Sequence, residues 1–238
     1  MNHFEKDGHA ALESSLGKSL IALPSYLEKT YRWAYVTPFN VSLLDHDFVV
    51  HTILWGNSNR LMKDAFSEFQ PGAHVLQVAH VYGDFSPRLA NHLGAKGTLE
   101  VVDIVPLQVK ICNAKLTNLP HAHARLADAQ SPGGGPYDGI CCYFLLHELP
   151  EDVRRNVVRR ILNLVKPGGR VVFVDYHKPS LYNPLYPVMK LIWKTFEPYA
   201  ESLLNTEIAN LVDNPDFTWN KQSSFGGLYQ KVVATRIS

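Results

Sequence analysis

Cysteine is scarce in these 238 residues: Cys112, Cys141 and Cys142 are the three present, and they make no disulfide framework. Cys141 and Cys142 fall inside an apolar strand pattern, where small buried thiols belong to the core. An excess of charge is also missing. The formal net charge of +1 gives no field to steer nucleic acid or a strongly acidic partner, so no nucleic-acid role is expected. No run approaches the ~18 consecutive apolar residues of a membrane span. Met1 to Ala10 is polar with mixed charge and lacks the apolar core of a secretory signal, so the chain is expected to stay inside the cell. The last scarcity is local. The stretch His74-Val75-Leu76-Gln77-Val78-Ala79-His80-Val81-Tyr82-Gly83-Asp84 stands where a nucleotide-binding strand turns into a helix, yet Ala79 and Val81 occupy the first two glycine positions and only Gly83 remains.

What is present suits one globular domain with a full core, 46% hydrophobic and 19% charged. Residues 1 to about 70 read as helical and irregular, with Tyr31, Trp33 and Tyr35 close together, Trp55-Gly56-Asn57 interrupting an apolar run, and a helix over Asn59–Phe69. This section is expected to be a cap across the mouth of the next domain, or a plain structural appendage. From residue 71 to 238 strands and helices alternate. Strands are predicted at 74–79, 98–103, 123–127, 137–143 and 170–175, and helices at 85–94, 106–117 and 151–165. In the last helix Val153, Val157, Ile161 and Val165 recur on one face, and Arg154, Arg155, Arg159 and Arg160 are expected to form a solvated one. This alternation predicts an α/β fold, Rossmann-like, with a doubly wound and mostly parallel sheet and ligands at the carboxyl ends of its strands. Gly133-Gly134-Gly135 reads as a loop and not a phosphate cradle, because no helix starts there. Leu185, Val188, Met189, Ile192 and Phe196 mark one face of a long helix, and Phe217 to Arg236 is expected to close the sheet as an antiparallel hairpin.

A branched Val81 and a bulky Tyr82 would obstruct a pyrophosphate, whereas S-adenosylmethionine (SAM) carries no phosphate. Asp103 ends the second strand about twenty residues past Gly83, the offset at which a carboxylate receives ribose hydroxyls. A helix-capping role before Pro106 is the alternative. Asp128, ending the third strand, is expected to accept from the adenine amino group. With their neighbours Ile104 and Ala129, and with Gln77, Ala79 and Gly83 in the turn, these residues make the candidate cofactor site.

Taken together, the Val75–Gly83 turn, Asp103, Asp128, Tyr137-Asp138 and Lys166-Pro167-Gly168-Gly169 before Val171-Val172-Phe173-Val174-Asp175 resemble the class I SAM-dependent methyltransferases over about 74–238. The chain departs from that class at Gln77, usually an acid, and at Ala79 and Val81. Those departures, with Trp33-Ala34-Tyr35-Val36, Leu54-Trp55-Gly56-Asn57, Phe144-Leu145-Leu146-His147-Glu148 and Val174-Asp175-Tyr176-His177-Lys178-Pro179, closely resemble the RquA-type rhodoquinone-biosynthesis proteins. That resemblance implies conversion of ubiquinone to rhodoquinone, a ring methoxy being replaced by an amino group, with SAM as amino donor and manganese(II) assisting. A conventional methyltransferase acting on a quinone or small aromatic, and a non-catalytic SAM-fold regulator, are the alternatives. Gln77, His80 and Tyr82 would reposition the methionyl amine, unless the turn has merely drifted.

Hard divalent ions favour carboxylate and imidazole ligands. His147, Glu148, Asp175 and His177 follow strands on the ligand side and are the candidate metal ligands, 175 and 177 sharing one face of an extended segment. Asp84 and Tyr82 are further candidates. Tyr82, His147, Tyr176 and His177 are the candidate catalytic side chains; a bond from His147 to a neighbouring loop is the plainer reading of that residue. His121 and His123 are expected in a solvated loop at the other end of the sheet. A lipid-borne substrate implies a cytoplasmic protein peripheral on the inner membrane. The helix near 185–204 with its aromatic flanks would supply an interfacial surface, or else an ordinary buried face.

Overall fold

The computed structural model describes residues 23–31 and 44–237. The motif Trp33-Ala34-Tyr35-Val36 lies outside the described residues, and of the expected cap the structure describes a helical turn at Leu27–Tyr31, α1 (Asp47–Ile53) and α2 (Ser58–Phe66). Five strands then alternate with helices: β1 (His74–Val78), α3 (Phe85–Leu93), β2 (Thr98–Asp103), α4 (Pro106–Leu116), β3 (Ala122–Leu126), β4 (Tyr137–Tyr143), α5 (Glu151–Leu162) and β5 (Val165–Tyr176). Two helices, α6 (Tyr186–Phe196) and α7 (Ala200–Leu204), replace the single long one expected, and the hairpin β6 (Phe217–Ser224) and β7 (Tyr229–Arg236) closes the sheet.

The sheet runs β3-β2-β1-β4-β5-β7-β6, parallel among its first five members and antiparallel where β7 meets β5 and β6. Successive residues of β1 and β4 alternate between two cores. Val75 and Cys141 pack on one side with Leu89 and Leu99; Leu76, Val78 and Cys142 pack on the other with Val157 and Ile161. A strand covered on both faces needs apolar residues at every position, hence the unbroken runs in the sequence. Chain order reverses between β1 and β4, so a crevice opens at their carboxyl ends. Both strands leave the sheet through a non-glycine residue in the left-handed region, Ala79 at φ 68° and Phe144 at φ 52°. Backbone strain of this kind collects at functional sites.

Two expectations are corrected. The last parallel strand, predicted at 170–175, begins earlier: β5 starts at Val165 and takes in Lys166-Pro167-Gly168-Gly169 through a register shift against β4. Arg154 does not face solvent with Arg155, Arg159 and Arg160. It is fully buried, donating to the carbonyls of Leu146 (2.8 Å), Leu149 (2.9 Å) and Tyr199 (2.9 Å). The helical face it occupies meets loops whose carbonyls lack donors, and a guanidinium satisfies several at once. Arg154→Met keeps the bulk but strips three carbonyls of their donor. It is expected to lower stability by about 3 kcal/mol in urea unfolding, whereas Arg159→Met should leave the midpoint unchanged.

Candidate functional site

The turn after β1 is held by its own side chains. Gln77 is buried and its Nε2 donates to the Ala79 carbonyl at 2.9 Å, so it braces the turn and does not line the crevice. The backbone N–H of His80 donates to Asp103 Oδ2 (2.9 Å), and Asp103 Oδ1 accepts from Val105 N–H (2.8 Å) ahead of α4. Burial pushes the Asp103 carboxyl up to about 6, against those N–H bonds. Gly83 keeps its place for a different reason from the one expected. At φ 78° a Cβ there would stand 2.8 Å from Asp47 Oδ1 of α1, while its N–H donates to Asp45 and its carbonyl accepts from Lys115. The glycine therefore lets the cap pack onto the turn.

Two cavities occupy the crevice and share Tyr31, His80, Tyr143, Phe144 and Glu148. The first is lined by Ala79, Asp103, Ile104, Asp128, Ala129 and Leu145, with Tyr26 of the N-terminal segment over it. It gathers most of the predicted cofactor residues. Asp128 also closes a turn on the Gln130 N–H at 2.8 Å. The second cavity is lined by the apolar Val50, Leu54 and Val81 and by Tyr82, Tyr176, His147, Glu148 and Glu197.

His80 stands where the cavities meet. Burial holds its imidazole neutral, lowering its pKa to about 4. Nδ1 lies 2.9 Å from Gln108 Oε1, and the Gln108 amide Nε2 donates to the Tyr82 hydroxyl. That orientation places the ring proton on Nδ1 and the lone pair on Nε2, which is buried without a partner.

Asp175 fixes the other wall. Its carboxylate accepts from Leu146 N–H (2.9 Å), His147 N–H (3.3 Å), Tyr176 N–H (2.7 Å) and His147 Nδ1 (2.8 Å). His147 Nε2 consequently points between two carboxylates, 3.9 Å from Glu148 Oε1 and 3.9 Å from Glu197 Oε2. One ligand atom from each of these three residues lies within 4.8 Å of the others. Burial alone would lower the imidazole pKa, but Asp175, Glu197 and Glu148 outweigh it and carry it up to about 9. Tyr31 donates to Glu197 Oε2 at 2.9 Å, and burial raises the Glu197 carboxyl above the usual range despite the pull of His147.

The sequence-predicted ligands thus divide. His147 and Glu148 converge; Asp175 stands behind His147 as its orienting partner, with its oxygens taken. His177 is turned away to Gly227 O (2.9 Å) and Lys221 Nζ (3.0 Å). β5 ends at Tyr176, so strand alternation no longer governs residue 177. Tyr176 and Tyr82 line the second cavity; Asp84 lies outside it beside α1 and pairs with Arg88. Glu197, Tyr31, Tyr26 and Gln108 were not anticipated. Glu197 carries no motif; it follows α6 and reaches the site only because α7 folds back against the Leu146–Glu148 turn.

Residues 75–169 match the family model described as a methyltransferase domain. The chain has the class I SAM-dependent methyltransferase fold. It is 25% identical over 209 residues to an uncharacterized methyltransferase of Synechocystis sp., covering 86% of this chain and 94% of that one. To a demethylmenaquinone methyltransferase of Desulfitobacterium hafniense it is 24% identical over 192 residues, covering 71% and 75%. Among solved structures, the N-methyltransferase NodS of Bradyrhizobium japonicum, in complex with S-adenosyl-L-homocysteine, superimposes with a TM-score of 0.56 at 12% identity, over 90% of this chain and all of that one. Sequence and fold thus agree on a methyltransferase-type α/β architecture.

Asp103→Asn should weaken SAM binding about tenfold by calorimetry. In the unsubstituted protein, affinity should fall as pH drops through about 6, because protonation would remove the acceptor that the sequence assigns to the ribose hydroxyls. The Asn variant should lose that pH dependence.

Proposed function

We propose that this chain is a SAM-dependent quinone-modifying enzyme that converts ubiquinone to rhodoquinone, a new ring carbon–nitrogen bond replacing the carbon–oxygen bond of a methoxy group. The observation that carries the proposal is the junction of the two cavities at His80. A nucleoside-type site opens there onto an apolar chamber with a nitrogen- and oxygen-rich wall. The demethylmenaquinone methyltransferase among the relatives supports a quinone as the substrate class.

The residues fit manganese(II). One imidazole nitrogen and two carboxylates converge, half-buried or buried, and the imidazole is oriented through its other nitrogen by Asp175. His147, Glu148 and Glu197 would hold the ion. When bound there, it would polarise a quinone carbonyl and make the methoxy-bearing carbon more electrophilic. SAM, when bound, would supply the amine nitrogen: the methoxy group leaves as methanol, and hydrolysis of the donor's Cα–N linkage releases a 2-oxo acid, the electron pair reducing the ring to the quinol. The protein's own part is positional. His80 Nε2 presents a lone pair at the boundary, able to accept an N–H from a primary amine and hold that nitrogen toward the second cavity. Tyr82, through Gln108, keeps the His80 tautomer. Val81 in place of glycine puts an aliphatic wall beside the ring space, and Val50 and Leu54 exclude water from it. This reading places the protein at the cytoplasmic face of the inner membrane, where a lipid-borne quinone is reached.

Incubation with ubiquinone, manganese and SAM labelled with heavy nitrogen at its amine should give rhodoquinone carrying that label by mass spectrometry. A product gaining methyl mass would assign conventional quinone methylation instead, and intact quinone with retained SAM binding would assign a non-catalytic role. Glu197→Gln is expected to lower manganese affinity about 100-fold in a paramagnetic-resonance titration while leaving SAM affinity unchanged; equal manganese binding would remove Glu197 from the ligand set.

A further inference from the structure

The outward face of α6 is built unlike that of a surface helix. Its inner face is already supplied by Met189 and Trp193, both buried, with Met189 accepting from Trp55 Nε1 at 3.2 Å. A helix with one core-facing stripe should be polar on the opposite side. Instead Val188 and Leu191 lie there one turn apart, Leu191 67% exposed. The loop before the helix continues the apolar surface with Leu181 and Tyr182, the latter 96% exposed. That loop is not loose: Ser180 N–H donates to Gly226 O (2.9 Å) and Asn183 Nδ2 to Phe225 O (2.9 Å), anchoring it to the β6–β7 turn. Large side chains are therefore held in water by a fixed backbone.

The charges on this helix and the loop before it have one sign. From Lys178 to Phe196 there is no Asp or Glu, while Lys178, Lys190 and Lys194 are all exposed and line one shared cavity flanking the helix, whose acids are the half-buried Glu197 and the exposed Glu201. Lysines beside an apolar strip can spread their stems along it and keep their ammonium groups at the phosphate level of a bilayer. Each such cation near an anionic surface adds to binding, and salt screens the gain. A second copy of the chain is disfavoured as the occupant, because a two-fold contact would bring these lysines against their own symmetry mates. Lysine is likewise depleted from protein interfaces.

We propose that the outer face of α6 with the Leu181–Tyr182 loop docks on an anionic lipid bilayer. The docking deepens the quinone reading and rests on it for its purpose, since α6 leads directly into Glu197 at the wall of the second cavity. A helix lying in the interface would put that chamber next to the layer in which a lipid-tailed quinone dissolves.

The test is co-sedimentation of the full chain with vesicles of phosphatidylcholine alone and of phosphatidylcholine mixed with phosphatidylglycerol. The protein should pellet with the mixed vesicles and be released by salt. The double variant Val188→Glu/Leu191→Glu should lose partitioning by at least about tenfold. Lys190→Gln/Lys194→Gln should lose only the part specific to the anionic vesicles, together with the salt dependence. Circular dichroism and thermal unfolding matching the parent protein verify that both variants fold, and turnover of a short-tailed quinone in solution should be unchanged in both. The proposal is overturned if the unsubstituted protein stays in the supernatant with both vesicle types, or if both variants pellet as it does. It is equally overturned if the glutamate variant abolishes a dimer seen by sedimentation equilibrium while vesicle binding is absent. Vesicle binding without any quinone turnover would support the docking face and defeat the quinone reading alone.

Discussion

A single buried carboxylate organises the crevice. Asp175, at the end of β5, accepts four N–H groups, from Leu146, His147 twice and Tyr176. Those bonds use the oxygens fully, so the residue cannot also serve a ligand from the cavity. They instead determine where the strand-four turn lies and which nitrogen of His147 faces outward. Arg154 braces the same turn from below through Leu146 and Leu149, and its third bond, to Tyr199, ties in the chain just past Glu197. An acid and a base, both buried, thereby set the positions of His147, Glu148 and Glu197 without entering the cavity. Buried ionic groups satisfied this completely are rigid, which is the property a convergent ligand set demands.

On the opposite wall the departure from a glycine-rich turn acquires a structural meaning. Ala79 adopts a backbone conformation that glycine would take at less cost, and Gln77 and Asp103 hold it there. The side chains admitted by the missing glycines, Val81 and Tyr82, form part of the second cavity. The turn has exchanged close backbone approach for side-chain walls. The retained Gly83 serves the packing of α1, so the helical cap and the altered turn belong to one arrangement.

Much of this was legible in the order of residues. Strand and helix positions followed from hydrophobic period, because strands buried on two faces have few alternatives to continuous apolar runs. Asp103, Asp128 and their neighbours were placed by their position after strands, and the structure gathers them at one cavity. Arg154 was misread because a helical pattern cannot tell a solvated face from one that meets loop carbonyls. His177 was misread because alternation was carried one residue past the end of its strand. The expectation of a long helix near 185–204 missed its division at Glu197, the residue that matters most there.

Local sequence thus determined the α/β alternation, the glycine-poor turn and the strand-end carboxylates, since each depends on neighbours within a few residues. Tertiary structure alone decided which histidine nitrogen is presented, that Glu197 joins His147 and Glu148, that Arg154 is buried, and that α6 is left apolar on both sides. These depend on segments far apart in the chain, and only the packed fold brings them within a few ångströms.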